Sequence, residues 1–334
     1  MRFSGNKPKV SVIIPVFNSG ETLKPCLEAV FKSDYGDFEV IVVDDCSTDN
    51  SREIAEEFDC RLVTQNKRSG PALARNRGAE DAGGRFLIFM DSDVMPHPQT
   101  VGQLIEPLEK GWDSCIGIYE PCPGYKNFSS VYKNIFIWHY HNSANGKVDW
   151  FWTACGSVKK DIFCSLGGFS ESYSYNSIED IEFGYRMTKN GYRILLNKEA
   201  VAKHLRYFGI GGLLKNDFRK GRDWTYLNLS KNPSLSLKHP VARLKSRGRA
   251  MIMNLAFIFL TLFSVAKIEF LPLAVVVFFV LPFMEKRFFS SLSAHGGRFA
   301  VALAVFIKPI DDLAISAGSF IGGMRFLFNK RMIK

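Results

Sequence analysis

The chain has 334 residues, of which 46% are hydrophobic and 23% charged, and this composition excludes both a disordered chain and one buried throughout in a membrane. Its net charge of +10 is concentrated at one end: residues 241–334 carry 13 Lys or Arg and 4 Asp or Glu, whereas residues 1–240 carry 30 and 29. A basic, apolar tail fits an anionic membrane surface and argues against a nucleic-acid-binding protein, whose charge would lie on the folded domain.

Predicted strands and helices alternate over the first 90 residues. Continuous apolar runs predict buried strands at Val10–Phe17, Phe38–Val43, Arg61–Thr64 and Arg85–Met90. Helices are predicted between them at Glu21–Lys32, Asn50–Phe58 and Ala72–Ala82. The alternation predicts an α/β fold with a doubly wound, mostly parallel sheet.

The following residues are less regular. Residues 112–206 are rich in aromatic residues and contain a predicted helix near Asp180–Lys189 and a predicted strand at Tyr192–Leu196. We expect them to extend the first domain, which would then cover residues 1–206. Residues 207–248 are basic and polar and are interpreted as a connector.

A helical membrane-associated region is predicted over residues 249–334. Ala250–Ala266 and Phe270–Met284 lack charged residues, and basic residues lie on both outer sides of this pair. The pattern predicts a membrane hairpin at 250–284 with both ends in the cytoplasm, followed by interfacial or membrane segments within 299–328. A soluble helical subdomain is the alternative.

Two further features predict that the first domain lies on the cytoplasmic side of an inner or plasma membrane. Met1–Val10 lacks the apolar region of a signal peptide. The seven cysteines are odd in number and form no Cys-x-x-Cys pair, which favours reduced thiols.

Polar clusters follow three predicted strands: Phe17-Asn18, Asp44-Asp45 and Asp91-Ser92-Asp93. Ligands bind beyond the carboxyl ends of the strands in open α/β sheets, so the three clusters predict a site on one edge. Asp91 and Asp93 alternate along an extended segment and can reach one ion, such as Mg²⁺ or Mn²⁺. Turns or helix caps are the alternative for each cluster.

Three segments carry a family resemblance: VSVIIPVFN, IVVDDCSTDNS and GPALARNRGAEDAGGRFLIFMDSD. In this order and spacing they resemble the family 2 glycosyltransferases, inverting enzymes of the A-type nucleotide-sugar fold, over roughly residues 9–205. The resemblance implies that a nucleotide diphosphate sugar is the donor and that a divalent cation is the cofactor. The implied donor-binding residues are Pro15, Phe17, Asn18, Asp45, Arg75 and Asp91.

The resemblance also implies individual roles on the donor side. Asp45 would accept a hydrogen bond from the nucleotide base, and Pro15–Asn18 would frame the base and ribose. Arg75 would support the nucleotide pocket or the acidic loop, with a surface pair to Glu80 or Asp81 as the alternative. Asp91 would face the ribose or the sugar, and Asp93 would bind the metal.

On the acceptor side, Ser177–Arg186 resembles the Glu-Asp motif of the family. The resemblance implies that Asp180 is the general base and that Glu179 helps to place the acceptor. Two acids favoured at a helix N-terminus are the alternative. His204 would complete the metal site, or would be an ordinary histidine. Thr153–Ser157 resembles the small-residue stretch below the acceptor, in which Cys155 is not a nucleophile.

Two departures narrow the expected function. The Gln-x-x-Arg-Trp motif of processive synthases is missing near Arg219–Trp224, and the Glu-Asp motif favours a hydroxyl acceptor. We therefore expect single transfers to a lipid-linked saccharide or envelope glycan precursor at the cytoplasmic membrane face. Sugar transfer to polyprenyl phosphate is the alternative within enzymes. A non-catalytic membrane scaffold or carbohydrate-binding module is the alternative outside them.

Overall fold

A computed structural model describes residues 8–171, 178–230 and 256–332, except 258, 262, 265–266 and 284. By its backbone contacts the chain divides into two compact units. Unit 1 comprises Met1–Gly124 and His141–Arg206, and unit 2 comprises Tyr125–Tyr140 and Tyr207–Lys334. The stretch predicted as the first domain thus contributes residues 125–140 to unit 2.

Unit 1 is built around one mixed sheet. Its strands in chain order are β1 (Val10–Val16), β2 (Phe38–Asp44), β3 (Arg61–Thr64), β4 (Phe86–Met90), β5 (Val94–Pro96), β6 (Ser114–Tyr119), β7 (Gly146–Val148), β8 (Cys155–Lys159) and β9 (Ile194–His204). Within the described residues their order is β3-β2-β1-β4-β8-β6-β9-β5, with β7 beside β9. The first four strands are parallel, whereas β8 runs antiparallel to both β4 and β6. The α/β class is confirmed, and the sheet is mixed.

The helices of unit 1 lie among these strands. They are α1 (Leu23–Phe31), α2 (Ser51–Glu56), α3 (Pro71–Asp81), α4 (Thr100–Glu109), α6 (Lys160–Ser165) and α7 (Glu179–Lys189), and α5 (Phe128–Asn142) crosses the boundary between the units. The first three begin and end within two residues of their predicted bounds. The prediction missed α4 and β6 and ended β9 at Leu196 instead of His204.

Helix α3 packs closely on the centre of the sheet. A Cβ at Gly78 would lie less than 3.0 Å from the side chain of Ile13 in β1, and Val43 of β2 is also in contact range. The missing side chain lets the helix approach the strands. Arg75, one turn earlier on this buried side, is therefore brought beneath the strand ends.

Helix α7 is held by its own glycine and by an internal ion pair. A Cβ at Gly184 would lie less than 3.0 Å from the backbone of Trp150 and Phe151. The buried carboxylate of Glu182 accepts two hydrogen bonds from the Arg186 side chain at 3.0 Å, and Arg186 also donates to the Gly168 carbonyl at 2.6 Å. These contacts fix the direction in which the N-terminal acids of the helix point.

Unit 2 is helical. It contains most of α5 together with α8 (Ile210–Ser230), α9 (Leu271–Phe283) and α10 (Lys286–Met332), which is interrupted at Gly297 by a φ of +79°. Its apolar core includes Tyr132, Phe136, Leu213, Phe288 and Leu292. The stretch interpreted as a connector contains α8 as far as residue 230, and its residues 231–248 lie outside the described residues.

The predicted membrane hairpin is not shown. Part of it, residues 250–255, lies outside the described residues, and α9 occupies only 13 residues of its second half. Of the helices in the described part of the chain, none is both long and apolar enough to cross a membrane. The predicted segments within 299–328 lie in α10.

Candidate functional site

The ends of β1, β2 and β4 are joined by polar contacts. Asn18 has a left-handed φ of +50°. Its side-chain Oδ1 accepts a hydrogen bond from the backbone amide of Thr48 at 2.8 Å, and its backbone amide donates to Ser47 Oγ at 3.0 Å. The hydroxyl groups of Ser19 and Ser92 lie 2.8 Å apart. The three polar clusters that follow these strands therefore lie on one edge of the sheet.

Asp45 organises the loop that leads into α3. Its buried carboxylate accepts hydrogen bonds from the backbone amides of Ser69 at 2.6 Å and Gly70 at 2.8 Å. These amides precede the helix, where no earlier helical turn can pair with them. The contact between Asp45 and a nucleotide base stays a prediction.

Phe17 lies next to a cation at the same edge. The Arg68 guanidinium is centred 3.8 Å from the centroid of the Phe17 ring, within the range of a cation–π interaction. Pro15 is half-buried in β1. The framing of base and ribose by Pro15–Asn18 is not tested by these contacts.

Arg75 joins the donor-side acids to the acceptor-side acids. Its buried guanidinium donates to Asp91 Oδ1 at 2.6 Å and to Glu179 Oε1 at 2.8 Å. Burial opposes the charge of the guanidinium, but the carboxylates of Asp91 and Glu179 more than offset it and raise the pKa of Arg75. Arg75 therefore contacts the acidic loop and is not an exposed arginine paired within its helix, and its role toward the nucleotide stays a prediction.

Asp91 and Asp93 lie on a tight turn after β4. The Val94 amide donates to the Asp91 carbonyl at 3.1 Å, and the Asp91 side chain is about one third exposed. Burial and the nearby charge of Asp91 raise the pKa of Asp93 to about 6. Two neighbouring carboxylates of this kind favour a bound cation, which would relieve their repulsion.

His204 is positioned at the end of β9, where it faces the turn. It is the register partner of Val94, and its Nε2 lies 3.8 Å from Asp93 Oδ2. The His204 ring stacks on the Tyr119 ring, with centroids 4.4 Å apart and planes 10° apart. Tyr119 was not predicted as a site residue, although it is the last residue of the apolar strand β6.

Asp93 and His204 bring two donor atoms of the kind that bind divalent cations near each other. Their 3.8 Å separation is too long for a hydrogen bond, and the two atoms would have to approach each other to serve as adjacent ligands of one octahedral ion with bonds of about 2.1 Å. In the described ranges, no group of three or more His, Cys, Asp or Glu residues is placed to hold a metal.

The predicted acceptor-side acids occupy the first turn of α7. Glu179 is buried, and its Oε2 has no hydrogen-bond partner among the residues that the structure describes. Asp180 is partly exposed, and its Oδ1 accepts from the Ile181 amide at 2.8 Å. Asp180 is thus the more accessible carboxylate for a substrate hydroxyl.

A group of aromatic side chains continues from His204. Trp152 makes edge-to-face contacts with Tyr119 at 4.6 Å and with His141 at 4.7 Å. The sequence showed only that this stretch is rich in aromatic residues. Nearby, burial raises the pKa of the Cys155 thiol to about 12, in keeping with the expectation that Cys155 is not a nucleophile.

Comparisons with known proteins agree with the fold and the motifs. A family profile described as glycosyl transferase family 2 matches residues 11–159. The chain is 31% identical to glycosyltransferase AglE of Haloferax volcanii over 232 residues, which cover 64% of this chain and 72% of AglE. It is 34% identical to dolichol-phosphate mannosyltransferase of Pyrococcus furiosus over 114 residues, 33% of this chain and 32% of that protein.

A solved structure shares the architecture. The mannosyltransferase PcManGT of Pyrobaculum calidifontis, in complex with GDP-Man and Mn²⁺, matches with a TM-score of 0.59 and 19% sequence identity. The match covers 97% of this chain and 88% of PcManGT. At this identity the likeness concerns the fold alone.

Proposed function

The chain belongs to glycosyl transferase family 2, whose members use nucleotide sugars, and we propose that it transfers one sugar per reaction, with inversion, to a hydroxyl group. The donor is a nucleotide diphosphate sugar. The acceptor hydroxyl belongs to a lipid-linked saccharide or another envelope glycan precursor.

The contact that best supports this proposal is the Arg75 bridge. It holds Asp91, on the donor side, and Glu179, on the acceptor side, to one guanidinium. The adjacent carboxylate of Asp180 is partly exposed, and we expect it to reach the hydroxyl of an acceptor bound near Asp91. Donor and acceptor can therefore meet between the strand ends and the start of α7.

In the proposed reaction Asp180 removes the proton from the acceptor hydroxyl. The hydroxyl oxygen attacks the anomeric carbon as the bond from that carbon to the diphosphate breaks, and nucleoside diphosphate leaves. Asp93 and His204 would hold Mg²⁺ or Mn²⁺, whose charge offsets that of the leaving diphosphate. The buried Arg75 keeps Glu179 in place beside the base.

We further propose that the enzyme works at the cytoplasmic face of an inner or plasma membrane. The net charge of +9 over residues 241–334 favours an anionic lipid surface. A lipid-linked acceptor would be confined to the same surface, so this location would bring enzyme and acceptor together.

Transfer to polyprenyl phosphate is the second candidate. The identity to the dolichol-phosphate mannosyltransferase favours it, although the match covers only 33% of this chain. A phosphate acceptor is already ionised and needs no general base. The two candidates therefore differ in whether Asp180 is required.

The test is release of nucleoside diphosphate from a panel of nucleotide sugars by the full-length enzyme with Mn²⁺ and membrane extract as acceptor. We expect Asp93→Ala and Asp180→Asn each to lower turnover by at least about a hundredfold. Asp161→Asn is the matched control. Asp161 is also an acid in the first turn of a helix, and it accepts from the Ile162 amide at 2.8 Å, as Asp180 does from Ile181.

If Asp180→Asn behaves like Asp161→Asn while Asp93→Ala is inactive, Asp180 is only a helix-terminal acid and the phosphate acceptor is favoured. Failure of every donor to turn over, with acceptor extract present, would contradict the proposed reaction.

A further inference from the structure

Helix α10 carries an apolar surface on its outer side. Phe299, Phe306, Phe320 and Leu327 are 75%, 53%, 65% and 58% exposed. Successive members are seven or fourteen residues apart, which is close to two or four helical turns, so they line one side of the helix. We call these four residues, with the exposed Ile310 between them, the outer face of α10.

The opposite, buried side of α10 carries charged residues beside the small core residues Ala300 and Ala304. Lys308 is buried and pairs with Asp312 at 2.6 Å and with Glu285 at 3.3 Å. Asp311 is fully buried and accepts a hydrogen bond from the Tyr132 hydroxyl at 3.0 Å. A helix on a water-exposed surface usually exposes its charges and buries its large apolar side chains, whereas this part of α10 buries Lys308 and Asp311 and exposes three phenylalanines.

Glycines bring α10 and α8 into backbone contact. A Cβ at Gly318 or Gly322 of α10 would lie less than 3.0 Å from the carbonyl oxygen of Phe218 or Arg222 in α8. A Cβ at Gly221 of α8 would be equally close to the Ile315 carbonyl oxygen. Glycines four residues apart at a close helix contact are typical of helices that associate in lipid, where apolar burial cannot drive them together.

Helix α9 and three exposed cations add to the surface formed by the outer face of α10. Helix α9 has no charged residue, and Leu273 and Val276 are exposed large apolar residues in it. The exposed cations Lys286, Arg287 and Arg298 lie close along the chain. Apolar side chains beside cations complement a membrane that carries anionic headgroups.

We propose that the outer face of α10, together with α9, contacts the lipid of an anionic membrane, with the apolar side chains at the headgroup–acyl boundary and the cations at the headgroups. A second copy of the chain is a poorer occupant, because it would set two regions of net charge +9 against each other. This inference rests on the membrane location proposed above and is independent of the reaction.

The test is flotation of the full-length protein with vesicles, without nucleotide sugar or metal. Vesicles of phosphatidylcholine with about 30% phosphatidylglycerol should bind the protein more tightly than pure phosphatidylcholine, and salt should weaken the binding. Replacing Phe299, Phe306 and Phe320 together by Glu should lower the partition coefficient by at least about a hundredfold. The matched control replaces the same three residues by Leu and should bind within about threefold of wild type.

A second readout avoids placing charge on the face. A single Phe306→Cys variant, in a background with the exposed Cys122 and Cys164 replaced by Ser, carries an environment-sensitive dye. Its emission should shift to the blue when anionic vesicles are added. The same dye on Cys164 of unit 1, with Cys122 replaced, should not shift.

Three outcomes would overturn the inference. If wild type floats but the folded Glu variant floats equally well, or the dye at Phe306→Cys does not respond, the face is wrong while the membrane location stands. If wild type binds neither vesicle, the location fails as well. If the Glu substitutions split a lipid-free dimer and leave vesicle binding unchanged, the face is a protein interface.

Discussion

Replacing Arg75 by Met removes a buried cation from between two carboxylates. Glu179, itself buried, would lose the hydrogen bond to its Oε1, and its Oε2 already has no hydrogen-bond partner among the described residues. Removing one partner of a buried pair leaves an uncompensated charge and costs about 3–5 kcal/mol. Asp91 is about one third exposed, so the loss of its ion pair with Arg75 adds less to this cost. We therefore expect the free energy of unfolding to fall by about 3 kcal/mol.

The assay is urea unfolding of the detergent-solubilised protein, combined with measurement of kcat/KM at a temperature where both variants are folded. Arg77→Met is the matched control, because Arg77 lies on the same helix and pairs with Glu80 at 2.9 Å on the surface. The control should lose less than about 0.5 kcal/mol. Because Arg75 holds the acids of both substrate sides, Arg75→Met should also lower kcat/KM by about a hundredfold.

A double variant separates loss of charge balance from loss of packing. Adding Glu179→Gln to Arg75→Met removes the charge left unpaired, so the two substitutions should couple by at least about 1.5 kcal/mol. Additive effects, or a loss for Arg75→Met no larger than for Arg77→Met, would refute the view that the guanidinium is held by buried carboxylates.

Three further predictions concern the helix and the metal. Gly184→Ala should lower the free energy of unfolding by about 3 kcal/mol, because the new Cβ would clash with the backbone of residues 150–151. The control Gly212→Ala, whose Cβ meets no atom within 4 Å, should change the free energy of unfolding by less than about 1 kcal/mol. Equal effects of the two substitutions would contradict the close approach of α7 to residues 150–151. Treatment with EDTA should abolish turnover and Mn²⁺ should restore it, and undiminished turnover after chelation would exclude an essential cation. His204→Ala should raise the Mn²⁺ concentration for half-maximal turnover by about tenfold or more at nearly unchanged kcat, and an unchanged Mn²⁺ dependence would remove His204 from the metal site.

The sequence was sufficient to predict the first half of the sheet. The apolar runs that form β1, β2 and β4 are buried on both faces, so their composition marks them without knowledge of their neighbours. Parallel strands end on one edge, and the polar residues after them could therefore be placed together. The antiparallel β8 escaped prediction because the short run Cys155–Lys159 contains glycine, serine and lysine.

Side chains whose environment depends on distant residues could not be predicted in the same way. Arg75 lies on a helix with little amphipathic character, and its partner Glu179 is 104 residues away. Lys308 and Asp311 are charged residues between apolar runs of the sequence, a pattern that gives no indication that either is buried. In the structure both lie in the part of α10 after Gly297, where Lys308 pairs with Glu285 and Asp312 and Asp311 accepts a hydrogen bond from Tyr132.

The discontinuous course of the chain through the two units has a practical consequence for anyone who shortens this protein. Cutting after residue 206 would remove α8, α9 and α10 but leave Tyr125–Tyr140 attached to unit 1. Tyr132 and Phe136 would lose Phe288, and Lys133 would lose its buried partner Asp217. We expect such a fragment to aggregate through the apolar side chains of α5 that it would expose. Its inactivity would then give no information about the active-site residues. An excision that also replaces residues 125–140 with a polar linker is the sounder route to isolated unit 1.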